Sequence, residues 1–246
     1  MNADSHRSET RPGFVTRSLA AIYRGFGYFG LFSVLGVLIY GFRHEATAPA
    51  SGYAFNALLY AAFILPHLVM TRSWFKRAIW RNPAGSPAER RVYITISVLT
   101  WLAVFYFHRP VPGFTPEWPA WTSFIGIVCF LFSATLFFQG VTFAMIDGLL
   151  AVPGAATAFS HGPDTPLFTD GPYASVRHPQ YRAFFMAGAS SLLIHPNAAQ
   201  LFWLAMLGAT FLAFIPVEEA QLLRQRGDDY RAYKQRTPWR LFRGIW

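Results

Sequence analysis

Charge is what this sequence has least of. Asp, Glu, Lys and Arg make up 13% of its 246 residues, about half the roughly one-quarter found in soluble domains. Cysteine is nearly absent: Cys129 stands alone, so no disulfide framework can form within the chain. Internal repeats and low-complexity tracts are missing, which excludes solenoids. Hydrophobicity is too high for disorder, with 53% apolar residues. The formal charge of +9 does not lie on a soluble framework, which argues against a nucleic-acid binder. An integral membrane protein remains, provided the apolar residues fall in long runs.

They do. Uncharged stretches of 18, 26, 29 and 35 residues lie between Arg24 and Arg43, Glu45 and Arg72, Glu117 and Asp147, and Arg182 and Glu218. Val92 to Phe107 adds an apolar run of 16. A spanning helix needs about 20 apolar residues, so the first, second and third uncharged stretches and the Val92–Phe107 run each read as one span. The 35-residue stretch would reach roughly 52 Å as one helix, well beyond a hydrocarbon core of about 30 Å. His195-Pro196-Asn197 interrupts it, and proline breaks helices at or before its own position. A helical hairpin is therefore expected, from Pro179 to Ile194 and from about Ala199 to Val217.

Six spans place both termini on one side. With that count, 19 of the 21 Lys and Arg fall on the side of the termini, and only Arg43 and Arg109 on the other. Positive residues accumulate in cytoplasmic loops, so the split predicts cytoplasmic termini and a bacterial inner-membrane location. Ala46-Thr47-Ala48 resembles a signal-cleavage site, but the preceding run is too long for a signal-peptide core, and it is read as a span. The fold class is all-α, a polytopic bundle. Residues 1–16 read as a disordered cytoplasmic tail, 17–145 as a four-span region, and 146–246 as the functional core.

Two polar segments flank the hairpin. The first runs from Gly171 to Tyr181 and holds Arg177 and His178 just before Pro179. Pro179 is a favourable first helical residue, and a helix N-terminus seats carboxylates. A basic-aromatic interfacial belt is the plainer reading of the same residues. The second segment holds Glu218 and Glu219 at the end of an apolar helix, where carboxylates are unfavourable unless paired or solvated. Adjacent helix residues point about 100° apart, so one of the two enters any shared pocket. Leu222, Leu223, Tyr230 and Tyr233 recur at helical spacing and predict an amphipathic C-terminal helix, whose plainer reading is a surface anchor.

Together the segments resemble the paired signature of the isoprenylcysteine carboxyl methyltransferase-like superfamily of membrane enzymes. That signature reads G-P-Y-x-x-V-R-H-P-x-Y-x-G, a helical hairpin, then E-E-x-x-L, G-x-x-Y-x-x-Y and x-P. Gly171, Pro172, Tyr173, Val176, Arg177, His178, Pro179 and Tyr181 match the first block. Glu218, Glu219, Leu222, Gly227, Tyr230, Tyr233 and Pro238 match the second. Ala183 stands where the final glycine is expected. The resemblance covers residues 168–239. It implies S-adenosylmethionine as methyl donor, walled by Tyr173, Val176, Arg177, His178, Pro179, Tyr181 and Tyr230, with Glu218 or Glu219 on the donor's polar groups. No metal site is assigned, and a soluble glycine-rich nucleotide motif is not required.

Leu65 to Arg77 and Glu89 to Tyr93 resemble the N-terminal half of bacterial methanethiol S-methyltransferases, and of related denitrification-associated membrane proteins. The stretch from Asp147 to Thr169 departs from that subfamily. The resemblance implies a small thiol as acceptor, methanethiol going to dimethyl sulfide. The alternatives are a prenylcysteine carboxylate, a lipid amine, or a non-catalytic protein of the same fold. A thiol must lose its proton: Arg177 or His178 would favour the thiolate electrostatically, or His67 would accept the proton. His67 also reads as an interior histidine, Asp147 as an interfacial acid or helix cap, and Cys129 as a packing residue. The expected partners are a small thiol and the bilayer, with no nucleic acid. A transporter is disfavoured, since no repeat pair exists and no charge lies mid-span.

Overall fold

The computed structural model describes residues 40–81, 87–140 and 167–246, with isolated positions before residue 40. The expected tail, most of the first expected span, and most of the Asp147–Thr169 stretch lie outside the described residues. Among the described residues the regular structure is helical, apart from a single bridge between His44 and Val111. The helices are α1 (Ser51–Met70), α2 (Ser73–Trp80), α3 (Pro87–Phe107), α4 (Ala120–Gly140), a short turn α5 (Pro172–Ser175), α6 (Pro179–Ile194), α7 (Ala198–Arg226) and α8 (Asp228–Arg236).

Four of these helices are long and apolar enough to cross a membrane: α1, α3, α4 and α7. Their outward faces expose Leu58, Leu99, Phe124, Leu131 and Leu212. Such surfaces are unfavourable in water and natural in lipid. Of the six expected spans, most of the first falls outside the described residues. The fifth is α6, whose 16 residues reach about 24 Å, short of a hydrocarbon core of about 30 Å.

The hairpin forms where proline and asparagine predict it. Pro179 starts α6 at its first position. Asn197 caps α7, its side chain accepting from the Gln200 N–H at 2.9 Å, the usual way to satisfy an exposed helix donor. The sixth span departs from expectation. It does not end at Val217, because α7 continues unbroken past the glutamate pair to Arg226. Gly227 ends it with φ of 52°, a left-handed conformation that glycine adopts at low cost. The C-terminal helix is thus divided: the leucines extend α7, and the tyrosines lie on α8. Tyr230 and Tyr233 are buried, so α8 packs its aromatic face inward.

Small residues let the central helices approach closely, the usual device where lipid offers no hydrophobic drive. α4 and α6 form the most extensive pairing. A side chain at Gly126 would meet the Ser190 carbonyl at 2.9 Å and Ile194 at 2.8 Å. Ala183, Ala187, Gly188, Ser190 and Ser191 are the buried small residues of α6. Ala183 is therefore accommodated where the superfamily signature has glycine.

One end of the bundle is closed by a polar seam. Asn56, fully buried on α1, donates to the Arg109 carbonyl and accepts from the Arg109 N–H, both at 2.9 Å. Gln200 on α7 accepts from the Phe42 N–H at 3.0 Å and donates to Ser191 at 2.7 Å. Tyr53 donates to the Pro112 carbonyl at 2.6 Å. His108 stacks on Phe42 at 4.0 Å, and burial pulls its imidazole down to about 4. It therefore stays neutral at physiological pH. Losing a buried amide that pairs two backbone groups costs about 1–3 kcal/mol for each group left unpaired. Asn56→Ala should therefore melt well below the wild type in detergent. An unchanged melting temperature would show that the seam is not structural.

Candidate functional site

At the other end of the bundle, one carboxylate gathers three segments that are remote in sequence. Glu219 accepts from Arg177 Nε at 2.7 Å, from Arg240 Nε at 3.2 Å, and lies 3.3 Å from His178 Nε2. Lys234 Nζ stands at 3.9 Å. The side chains of Arg177 and Glu219 are each 5% exposed. Arg177 Nη1 also donates to the carbonyls of Thr237, at 2.8 Å, and Pro238, at 2.6 Å. Backbone bonds repeat the connection, from Arg177 N–H to the Trp239 carbonyl and from His178 N–H to the Arg240 carbonyl, each at 2.9 Å. Tyr233 donates to the Tyr173 carbonyl at 2.9 Å. The segment before α6, the end of α7 and the C-terminal tail thus form one locked unit.

The Arg177 guanidinium is countered at contact distance, with its Nε and Nη1 engaged by protein oxygens. Val176 and Pro179 are buried beside it.

Glu218 differs from its neighbour. Its side chain is 45% exposed. Tyr181 donates to it at 3.0 Å, and His178 Nδ1 lies at 3.8 Å. Phe211, Phe214 and Glu218 follow the i, i+3, i+7 spacing of a single helix face. On one flank, Tyr181 lies against Phe211 with ring centroids 4.9 Å apart and stacks on His178 at 5.6 Å. On the other flank, His67 stacks on Phe214 at 5.6 Å and meets Tyr93 edge-on at 5.3 Å. The α7 face is therefore the spine between the signature residues and the α1–α3 pair.

Three phenols border the locked unit and stay protonated at physiological pH. Burial pushes Tyr230 and Tyr233 well above the ordinary phenol value. Burial and the Glu218 charge push Tyr173 up to about 12. Among the described residues the buried Tyr230 hydroxyl has no hydrogen-bond partner. A buried unpaired hydroxyl is costly, so an incoming polar group that pairs it gains that energy. Glu218, Tyr181, His178, Tyr173 and Tyr230 supply a carboxylate, ring faces and hydroxyl donors together, fitting a ligand with a cationic group and a flat heterocycle. Among the described residues no group of His, Cys, Asp and Glu is poised to hold a metal.

The structure brings together Tyr173, Val176, Arg177, His178, Pro179, Tyr181, Glu218, Glu219 and Tyr230, with His67 across the α7 face. Asp147 lies outside the described residues. Sequence reasoning missed Arg240 and the Thr237 and Pro238 carbonyls, which complete the lock. It also missed Phe211 and Phe214. Their spacing from Glu218 is the signal that identifies them.

Comparison with known proteins follows the same division. Residues 137–224 match the isoprenylcysteine carboxyl methyltransferase family. Methanethiol S-methyltransferase 1 of Bradyrhizobium diazoefficiens is 30% identical over 205 residues, covering 79% of this chain and 70% of that protein. Methanethiol S-methyltransferase 2 of the same organism is 28% identical over 192 residues, 74% and 70% of the two chains. Protein-S-isoprenylcysteine O-methyltransferase of Schizosaccharomyces pombe is 32% identical over 121 residues, 48% and 47%. No solved structure matches the chain.

Proposed function

Because the chain belongs to the isoprenylcysteine carboxyl methyltransferase family, we propose that this membrane methyltransferase moves a methyl group from S-adenosylmethionine to a small thiol, methanethiol becoming dimethyl sulfide. The supporting observation is the α7 face. It carries a half-exposed carboxylate and hydroxyl donors on one flank and an aromatic cluster around His67 on the other. The two methanethiol S-methyltransferases align over most of this chain. The prenylcysteine enzyme aligns over about half.

S-adenosylmethionine supplies an electrophilic methyl group on a sulfonium. Glu218 would hold the donor's ammonium, and Tyr230 would offer its hydroxyl to a donor oxygen or nitrogen. Tyr173, Tyr181 and His178 wall the site. Arg177 and Glu219 hold that wall in place, with Val176 and Pro179 packed behind it. Displacement at the methyl carbon needs alignment more than covalent help, and alignment can supply about 7–11 kcal/mol. Aromatic walls also exclude water, which strengthens the charge interactions inside.

The charge asymmetry supports a bacterial inner-membrane enzyme of six spans with cytoplasmic termini, in which residues 1–16 form a tail, 17–145 a four-span region and 146–246 the donor-binding core. Cytoplasmic orientation places Glu218 on the side where the donor is made. In detergent, the purified protein should transfer label from S-adenosylmethionine to methanethiol and release dimethyl sulfide into the headspace. Farnesylcysteine and a lipid amine serve as competitors. Label in farnesylcysteine with no volatile product from any thiol would reverse the assignment of acceptor.

A further inference from the structure

His67 is held in a way that plain packing does not require. It sits on α1, one residue after Pro66. Its Nδ1 lies 2.6 Å from the Phe63 carbonyl. A carbonyl only accepts, so Nδ1 carries the proton and the lone pair is left on Nε2. No described residue pairs with Nε2. Around the ring stand Phe63 at 4.4 Å, Tyr93 at 5.3 Å and Phe214 at 5.6 Å. Trp101 backs Phe63 at 5.8 Å. Phe214 precedes Glu218 by one helical turn, about 6 Å along the axis. The histidine therefore faces the donor side of the site across a single aromatic residue.

We propose that His67, Phe63, Tyr93 and Phe214 form the acceptor subsite, in which His67 Nε2 takes the proton of a small neutral thiol. This inference rests on the thiol methyltransferase reading above. The balance is simple. A sulfur lone pair forms the new bond to the methyl carbon, and the methyl–sulfonium bond breaks with its electron pair left on the donor's thioether. The S–H proton goes to Nε2. The chemistry also discriminates between acceptors. A carboxylate acceptor arrives ionised and has no proton to give up, so a fixed free lone pair is useless to it. A thiol is mostly protonated at neutral pH, so its proton must go to a base when the new bond forms. The rings around His67 are apolar and disfavour a charged acceptor.

His67→Asn should lower kcat for methanethiol at pH 7 by about 100-fold, within the usual range for losing a general base. Binding of S-adenosylmethionine by calorimetry should be unchanged. The deficit should shrink as the pH is raised beyond the cysteine value of about 8.5 toward the higher value of a simple alkanethiol, where thiolate becomes available from solution. A deficit of equal size at every pH would mean that His67 only packs, and would overturn the proposal. Phe63→Ala gives an independent reading if the asparagine variant folds poorly. Without any donor present, 1-butanethiol should raise the melting temperature of Phe63→Ala at a concentration at least about 10-fold lower than for wild type, since the lost ring opens space for more than one methylene and one alone is worth roughly 10-fold or more. An unshifted concentration dependence would also overturn it. If wild type binds S-adenosylmethionine but methylates no thiol, the underlying reading of function fails. If wild type methylates thiols and both variants behave like it, the acceptor subsite alone fails.

Discussion

Glu219→Gln should be among the most damaging single substitutions in the chain. The variant keeps the side chain's shape but removes the charge that counters Arg177. Both side chains are 5% exposed, so the guanidinium would remain buried against a neutral amide. Breaking a buried pair from one side costs about 3–5 kcal/mol. The loss would not stay local. Glu219 also holds Arg240 and touches His178, and Arg177 holds the Thr237 and Pro238 carbonyls. The tail, the start of α6 and the end of α7 should loosen together. A large drop in melting temperature in detergent and loss of methyl transfer are expected. Arg177→Met should do the same, leaving the Glu219 carboxylate under-compensated. The double variant Arg177→Met/Glu219→Gln should lose less than the sum of the two single losses, because the two charges of the buried pair are removed together. Additive single effects in that cycle would show that the pair does not act as a unit.

The sequence alone does not single out this role for Arg177. An arginine before a helix start, beside histidine and tyrosine, reads as an interfacial cation or, by resemblance, as part of the donor wall. The deciding partners are the Thr237 and Pro238 carbonyls and Arg240, about 60 residues away. Backbone carbonyls carry no sequence signal, so their role was illegible. The glutamate pair was legible only to the point of saying that the two side chains diverge. Choosing between them needed the neighbours: cations around one, a tyrosine and open space around the other.

The helical hairpin was the most readable feature. His195-Pro196-Asn197 stops one helix and caps the next, both by local chemistry. The length of α7 was less readable, because charged residues after Val217 look like the end of a span. They are instead further turns of the same helix, ended only by the positive φ of Gly227. The seam of Asn56 and Gln200 was missed, although a buried amide inside an apolar run is a recognisable signal. The aromatic residues around His67 were in view as apolar residues only. Which of them meet depends on how α1, α3 and α7 face one another, and the runs themselves do not encode that.

The adjacent carboxylate should behave in the opposite way. Glu218→Gln should leave the fold intact, with a melting temperature close to wild type. Its side chain is 45% exposed, and it accepts from the Tyr181 hydroxyl at 3.0 Å, a bond the amide oxygen can still accept. What is lost is a charge facing the proposed ammonium. A hydrogen bond to a charged group contributes about 1.5–3 kcal/mol, so S-adenosylmethionine should bind roughly 10- to 150-fold more weakly by calorimetry. Tyr181→Phe should cost less, since it frees the carboxylate without neutralising it. Raised donor KM in Glu218→Gln with a wild-type melting temperature, beside collapse in Glu219→Gln, is the expected pattern. The reverse pattern would exchange the two roles. It would require Glu219 to face the donor while losing its hold on Arg177, which the 2.7 Å contact between them opposes.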